Sequence, residues 1–431
     1  RGQNPIGRQG ADICISSGVL LFNLNRYLLR PIFWHDSVLG HRNLLRCLLK
    51  KLVFLGEKEK VSRSIRFYLV LCFVCVFVPT GIDAQSVVTG KGTTIDFYGF
   101  IRTDLILDSQ RPNSAQTPQW IVDGTEENFT MHPRLTRFGM NYTGGEVGDF
   151  GTIGGKLEID FQNGGSDSRA LPRYRHAYMT LDMGNSELLI GQTWDLVSPL
   201  YPAANSDTLM WNVGNLGDRR TQMRYTMGLG EGLNFAVAAG LTGAVDQKDR
   251  DGNGIKDGEE SGMPGLQARL GMGGIEGLEF GIGLATAEES SLGESYDTNL
   301  VTVDFKYALS EKFTLKGEYF TGSNLSDFRG GIAQGINAAG EEIDSTGGWV
   351  EVGTSLGENW NTYVGYTFDD PDDDQVDAGG RLENTALYVT NKWQWSSYGI
   401  GLDFIQWTTT QDGIADDLED NRVNLYFTYT F

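Results

Sequence analysis

Cysteine is missing from most of this chain. The four present, Cys14, Cys47, Cys72 and Cys75, all precede residue 76, so the remainder can form no disulfide and no thiolate metal site. Histidine is nearly missing too. Beyond residue 41 only His132 and His176 occur, and no Ser/His/Asp or metal-ligand spacing is readable around either. A hydrolase barrel is therefore a minor alternative, with no catalytic residue to assign. After residue 90 no run of 18 or more apolar residues appears, which excludes membrane-spanning helices there. Positive charge is also short, with 35 Lys/Arg against 56 Asp/Glu. Residues 1–85 hold 12 of those basic and 5 of those acidic residues, leaving 23 basic and 51 acidic side chains and a net charge of −28. Such acidity argues against nucleic acid as a partner.

Methionine is absent before Met131. Residues 61–84 carry Arg63 and Arg66, then an apolar stretch from Phe67 to Val78, then a short polar segment. That is the layout of a secretory signal peptide cut after Ala84, and its apolar core is too short to span a bilayer. Residues 1–60 have no place in an exported protein and are expected to be non-native upstream read-through. The expected folded unit is residues 85–431.

Glycine is plentiful, at 57 residues, and aromatics make up 11 % of a chain whose mean hydropathy is only −0.27. Polar average hydropathy is compatible with a membrane barrel, where only every second strand residue meets lipid. Period-two alternation runs through the chain. Ile95, Phe97, Ile101, Leu105 and Leu107 oppose Asp96, Arg102, Asp104 and Asp108. Arg220, Gln222 and Arg224 alternate with Thr221, Met223, Tyr225 and Met227. About 16 such segments follow one another, with no helical period between them. Eight longer connections, including 108–128, 195–219, 244–264 and 287–297, alternate with seven tight turns. A soluble sandwich has no reason to sort its connections this way. An all-β, transmembrane, antiparallel up-and-down β-barrel does, with short turns on the periplasmic side and long loops outside. The acids gather in the long loops, which would face lipopolysaccharide and divalent cations. The chain ends on Phe431 after an alternating strand, like the C-terminal assembly signal of bacterial outer-membrane barrels.

Four segments carry a family resemblance: Phe97 to Gln110, Thr136 to Tyr142, Arg173 to Trp194, and Gly217 to Thr226. Over these the chain resembles the DcaP-like family of trimeric outer-membrane porins. The resemblance implies a 16-stranded barrel, a homotrimer, and diffusion of small, often anionic solutes past an arginine-lined constriction. Members often carry a periplasmic coiled coil at the N-terminus. Here only Gln85 to Thr94 would precede the first strand, so a trimer would rest on the barrel wall.

In a barrel, an arginine on the lipid face near midplane costs about 2–4 kcal/mol, so the arginines are assigned inward. The expected pore-lining set is Arg102, Asp104, Arg137, Glu158, Arg173, Arg175, Arg220 and Arg224. Rings of fixed cations favour anions; pairing with Asp104, Glu158 and Asp160 would instead only stiffen the wall. The third long loop is expected to fold inward, with Asp207, Trp211 and Asn212 lining the constriction opposite the arginines. His176 is expected on the wall near the periplasmic rim. Asp249, Asp251, Asn253, Ile255, Asp257 and Glu260 occupy positions one, three, five, seven, nine and twelve of a calcium-loop pattern, with Gly254 at the sixth. No helices flank it, so it looks more like a single thrombospondin type-3 or dockerin-type half-motif holding a structural Ca²⁺. No other cofactor is expected. The expected function is passive diffusion of small hydrophilic, anionic solutes across the outer membrane; the alternative is a non-conducting structural or surface-binding barrel acting through its acidic loops.

Overall fold

The computed structural model describes residues 86–88 (backbone only), 93–124 and 126–431. The expected read-through and signal peptide lie outside the described residues. The barrel strands are β1 Thr94–Asp108, β2 Asn128–His132 continued by Arg137–Glu146, β3 Thr152–Asp160, β4 Arg173–Asp182, β5 Ser186–Trp194, β6 Arg219–Gly230, β7 Leu233–Gly240 and β8 Gly265–Ile275. They continue as β9 Leu278–Ser291, β10 Glu294–Ala308, β11 Phe313–Ser323, β12 Asp344–Gly357, β13 Trp360–Pro371, β14 Arg381–Trp395, β15 Tyr398–Gln411 and β16 Leu418–Thr430. Each pairs antiparallel with its chain neighbour. The ring of 16 closes where β1 meets β16, from Phe100↔Thr430 to Leu107↔Val423. Phe431 adds a final rung, exchanging backbone hydrogen bonds with Gly99 at 3.1 and 3.2 Å. A short segment, Ser86–Val88, pairs onto the start of β1.

The alternation read from the sequence becomes two faces. On β6, Thr221, Met223 and Tyr225 are exposed on the outside, while Arg220 and Gln222 are buried within. Leu266, Leu270, Ile282, Leu284 and Val301 continue the exposed apolar band around the wall. Only lipid can cover so broad an apolar band without loss. Aromatics gather near the short turns: Trp360 stacks on Trp393 at 5.7 Å and Tyr398 packs on Tyr429 at 5.0 Å. Rims of this kind mark the membrane–water boundary. A closed 16-stranded barrel with this surface is an outer-membrane protein.

Two local departures shape the interior. Pro133 has no N–H for the ladder, and β2 breaks there. Thr136 fills the gap: its hydroxyl accepts from the Arg102 N–H at 3.0 Å and donates to the Arg102 carbonyl at 3.1 Å. Between β3 and β4 a bulge sets Glu158 opposite His176 and Ile159 opposite Tyr174, with Arg175 the extra residue. Arg175 and His176 are both buried as a result.

One expected loop is corrected. Residues 287–297 are not one of the longer connections. Strands β9 and β10 run on to Ser291 and Glu294 and turn through Leu292 and Gly293, at φ +55° and +84°. Two successive positive φ values make the tight hairpin turn that matches strand twist. Glu289 and Ser291 are buried there, but they are as polar as the more exposed pairs Ser290↔Ser295 and Glu288↔Asp297, so the sequence shows no apolar alternation.

Candidate functional site

The site is the lumen. Loop 195–218, between β5 and β6, folds into the barrel and runs along its inner wall. Wall side chains receive it. Glu318 on β11 accepts from the Ser198 hydroxyl at 2.6 Å and the Leu200 N–H at 2.7 Å. Glu351 on β12 accepts from the Ala203 N–H at 2.7 Å. Asp403 on β15 accepts from the Asn205 N–H at 3.3 Å. Asn384 on β14 donates to the Asn212 and Gln119 carbonyls, both at 2.6 Å. These bonds supply partners to loop groups drawn out of water, which lowers the cost of folding the loop inward.

Apolar packing completes the docking. Ala204, Met210 and Val213 of the loop meet Tyr388, Ile405 and Trp407 of the wall in one dry cluster. Val197 and Leu216 meet Leu300 and Phe320 in another, joined by Leu325 and Phe328 of loop 324–343. That second loop is held in turn by Asp369 on β13, which accepts from the Gly331 and Ile332 N–H groups. The inner wall over β9–β16 is therefore largely covered by loops.

The opposite wall, β2 to β4, stays wetter and is cationic. Arg173 donates to Asp160 at 2.7 Å, and Arg175 donates to Glu158 at 2.7 Å and Asp160 at 3.1 Å. Arg137 lies 3.5 Å and Lys156 4.0 Å from Glu158. Four cations thus share two carboxylates. The side chains of Arg137, Arg173 and Lys156 are 20–26 % exposed, whereas Glu158 and Asp160 are 5 % and 0 % exposed. The acids sit at the wall and the cationic ends reach toward solvent. Arg224 adds a further cation, held only by neutral acceptors, Gln222 and the Trp194 carbonyl.

The other expected lining residues have different settings. Arg102 donates to Asp104 at 2.5 Å beneath the Tyr426 ring, and the pair is buried. Arg220 is buried between Asp195 and Asp327, at 2.6 Å from each. Asp207, Trp211 and Asn212 do belong to the infolded loop, but all three are buried against it or the wall. Asp207 accepts from Gln162 at 3.2 Å and Arg422 at 3.4 Å, with His132 3.7 Å away. Burial, with Asp104 close by, pushes the Asp207 carboxyl up to about 7. Asp218, at the loop's other end, is the reverse case. Burial works to raise it, but Arg329 and Arg219 prevail and hold it down at about 2. Trp211 lies against Trp194 and under Arg329.

His176 is not at the periplasmic rim. It lies three residues from the loop end of β4, hydrogen-bonded to Thr193 at 3.1 Å and in edge contact with Trp194. Its height follows from the strand starting at Arg173 on the loop side, and the bulge at Arg175 turns it to the inner face. Sequence reasoning also passed over Glu318, Glu351, Asp369, Asn384 and Asp403. The one signal was a polar side chain at an inward strand position, and nothing in the sequence tied it to a loop.

In the external loop, Asp249, Asp251 and Glu260 converge on Asn253. Asn253 N–H donates to Asp249 at 3.1 Å and to Asp251 at 3.0 Å, and its side-chain amide donates to Glu260 at 2.6 Å. Asp257 faces away, fully buried and ion-paired with Arg250, and opens a single helical turn, α1, Asp257–Glu260. The Ile255 side chain is half exposed. Among the described residues no group of three or more His, Cys, Asp or Glu is placed to hold a metal ion.

The class defined by this fold and lumen is the 16-stranded outer-membrane barrel narrowed by an inward loop. Solved structures of the same fold include the outer-membrane channel DcaP of Acinetobacter baumannii, 19 % identical, at a TM-score of 0.68 over 80 % of this chain and 100 % of that one. The anion-selective porin of Comamonas acidovorans is 13 % identical, at 0.55 over 79 % and 100 %. In-vitro folded OmpT of Vibrio cholerae in its trimer form is 14 % identical, at 0.52 over 79 % and 99 %. At these identities the likeness establishes the fold. No family profile matches the chain, and no curated protein matches it.

Proposed function

We propose that the chain is a porin, without enzymatic activity, that lets small hydrophilic anions diffuse passively across the outer membrane. The observation that carries this reading is the wall patch of Arg137, Lys156, Arg173 and Arg175. Four cations over two more deeply buried carboxylates leave a formal excess of +2 facing the water. A fixed positive excess in a narrow aqueous path raises the local concentration of anions. Neither histidine offers catalytic geometry: among the described residues His132 has no hydrogen-bond partner and His176 has only Thr193. A homotrimer in lipopolysaccharide-rich membrane is the proposed assembly, supported by the trimer form of a barrel of the same fold.

Planar-bilayer recording in a KCl gradient tests this. Discrete conductance steps with an anion-selective reversal potential are expected. The triple variant Arg137→Gln/Lys156→Gln/Arg173→Gln should lose most of that selectivity and keep conducting. A cation-selective parent would remove the arginine argument. Absence of steps would favour the second reading, a closed structural barrel, which the loop-covered wall over β9–β16 supports.

Ca²⁺ binding at Asp249–Glu260 is proposed separately, on the calcium-loop spacing of Asp249, Asp251, Asn253 and Glu260 in the sequence; the three acids bond to Asn253 as they stand and would have to turn to a cation. Calorimetric titration with Ca²⁺ should release heat that Asp251→Ala abolishes; equal heats from both proteins discard the site.

A further inference from the structure

Outside the lumen, the wall is recessed beneath loop 241–264. Ile190 on β5, Met223 on β6, and Ala239 and Leu241 at the end of β7 line a cavity of about 510 Å³. Gly258, Glu259, Gly262, Met263 and Pro264 of loop 241–264 overhang it. The wall side is apolar and belongs to the outward face, since Ile190, Met223 and Leu241 are all exposed. The roof is fixed from two directions. A Cβ on Gly258 would stand 2.5 Å from the Thr242 carbonyl carbon, so only glycine lets α1 lie this close to the end of β7. Arg250 ties Asp257 of α1 to Glu289 on β9.

We propose that this recess holds an acyl chain of lipopolysaccharide from the outer leaflet. The cavity is continuous with the exposed apolar band and lies at the loop end of the wall, the level of the outer leaflet in an outer-membrane barrel. Apolar surface there must meet an apolar partner, and each buried CH₂ contributes about 0.8 kcal/mol. A second barrel presents a broad convex wall that cannot enter beneath an overhanging loop, whereas a single acyl chain is narrow enough. At the rim, Lys256 stands 4.0 Å from Glu259 with its side chain a third exposed, and offers a cation to a glycolipid phosphate. The inference rests on the barrel's place in the outer membrane and is independent of whether the lumen conducts.

The test is native mass spectrometry of the protein after reconstitution with equal amounts of lipopolysaccharide and phosphatidylethanolamine and transfer to mild detergent. The parent is expected to retain one lipopolysaccharide per chain. Ala239→Trp and Met223→Trp, which fill the recess, should each lower that fraction at least fivefold. Leu270→Trp, on unroofed wall, should leave it unchanged. Heat-modifiable migration identifies folded barrel, and either filling variant that folds suffices. Four results overturn the proposal: no lipopolysaccharide on the parent, phospholipid in its place, full retention by a filled variant, or a filled variant whose only change is oligomer mass, which would make a second copy the occupant.

Discussion

Arg220→Ala is expected to lower the stability of the barrel by about 3 kcal/mol, the low end of the cost of breaking a buried ion pair on one side. The guanidinium lies between two carboxylates from different loops, Asp195 and Asp327, and also donates to the Leu241 and Asp327 carbonyls. Its face covers the Phe328 ring at 4.4 Å. Removing it leaves two acids buried without a cation. The low end applies because neither acid loses every donor. Asp195 keeps Gln267 at 2.7 Å and the Asp218 N–H at 3.0 Å, and Asp327 keeps the Gly243 and Val245 N–H groups. Arg220→Lys should recover only part of the loss, since one ammonium cannot serve two carboxylates with a planar fork. Urea unfolding of the three proteins in lipid vesicles reads the difference. A loss under 1 kcal/mol for Arg220→Ala would mean that water reaches the pair. The same variant should show noisier open-channel current, because Asp195 opens one lumen loop and Asp327 sits in the other.

How much of this was readable follows from what alternation can report. On β6 the inward Arg220 and Gln222 and outward Met223 and Tyr225 stand where period two put them, because one neighbour is water and the other lipid. Where both faces carry polar side chains the signal vanishes, and for that reason the ends of β9 and β10 look like loop in the sequence although Glu289 and Ser291 are buried. A bulge erases it differently: one extra residue at Arg175 shifts the phase, so His176 came inside. The arginines of β2 to β4 were placed inward from cost alone, yet how they share Glu158 and Asp160 depends on the register between strands, which the sequence does not spell out. The loop anchors were least legible. Glu318 and Ser198 are 120 residues apart, and Asn205 and Asp403 are 198 apart. A lone acid in a strand looks the same whether it lines a pore or holds a loop amide.

A close approach of the loop to the wall supplies a second large effect, at Gly214. Its φ of +110° is open to glycine and strained for other residues by about 1–3 kcal/mol. A Cβ there would stand 2.3 Å from the Gly348 carbonyl oxygen and 2.6 Å from that of Phe368. Those oxygens belong to β12 and β13 within a continuous hydrogen-bonded sheet, so the wall does not give way. The loop must retreat by about 1 Å to reach ordinary contact. It can retreat only toward the lumen axis, and Val213 and Met210 beside it lose part of their packing on Tyr388 and Trp407. Gly214→Ala is therefore expected to lower single-channel conductance as well as stability. This separates it from Arg220→Ala, which releases loops instead of pushing one inward. Gly379→Ala is the control: φ there is +78°, but nothing lies within 4 Å of its would-be Cβ. It should show the backbone strain and leave conductance unchanged. If Gly214→Ala conducts as well as the parent, loop 195–218 does not set the width of the path, and the opening must be narrowed at the arginine wall itself.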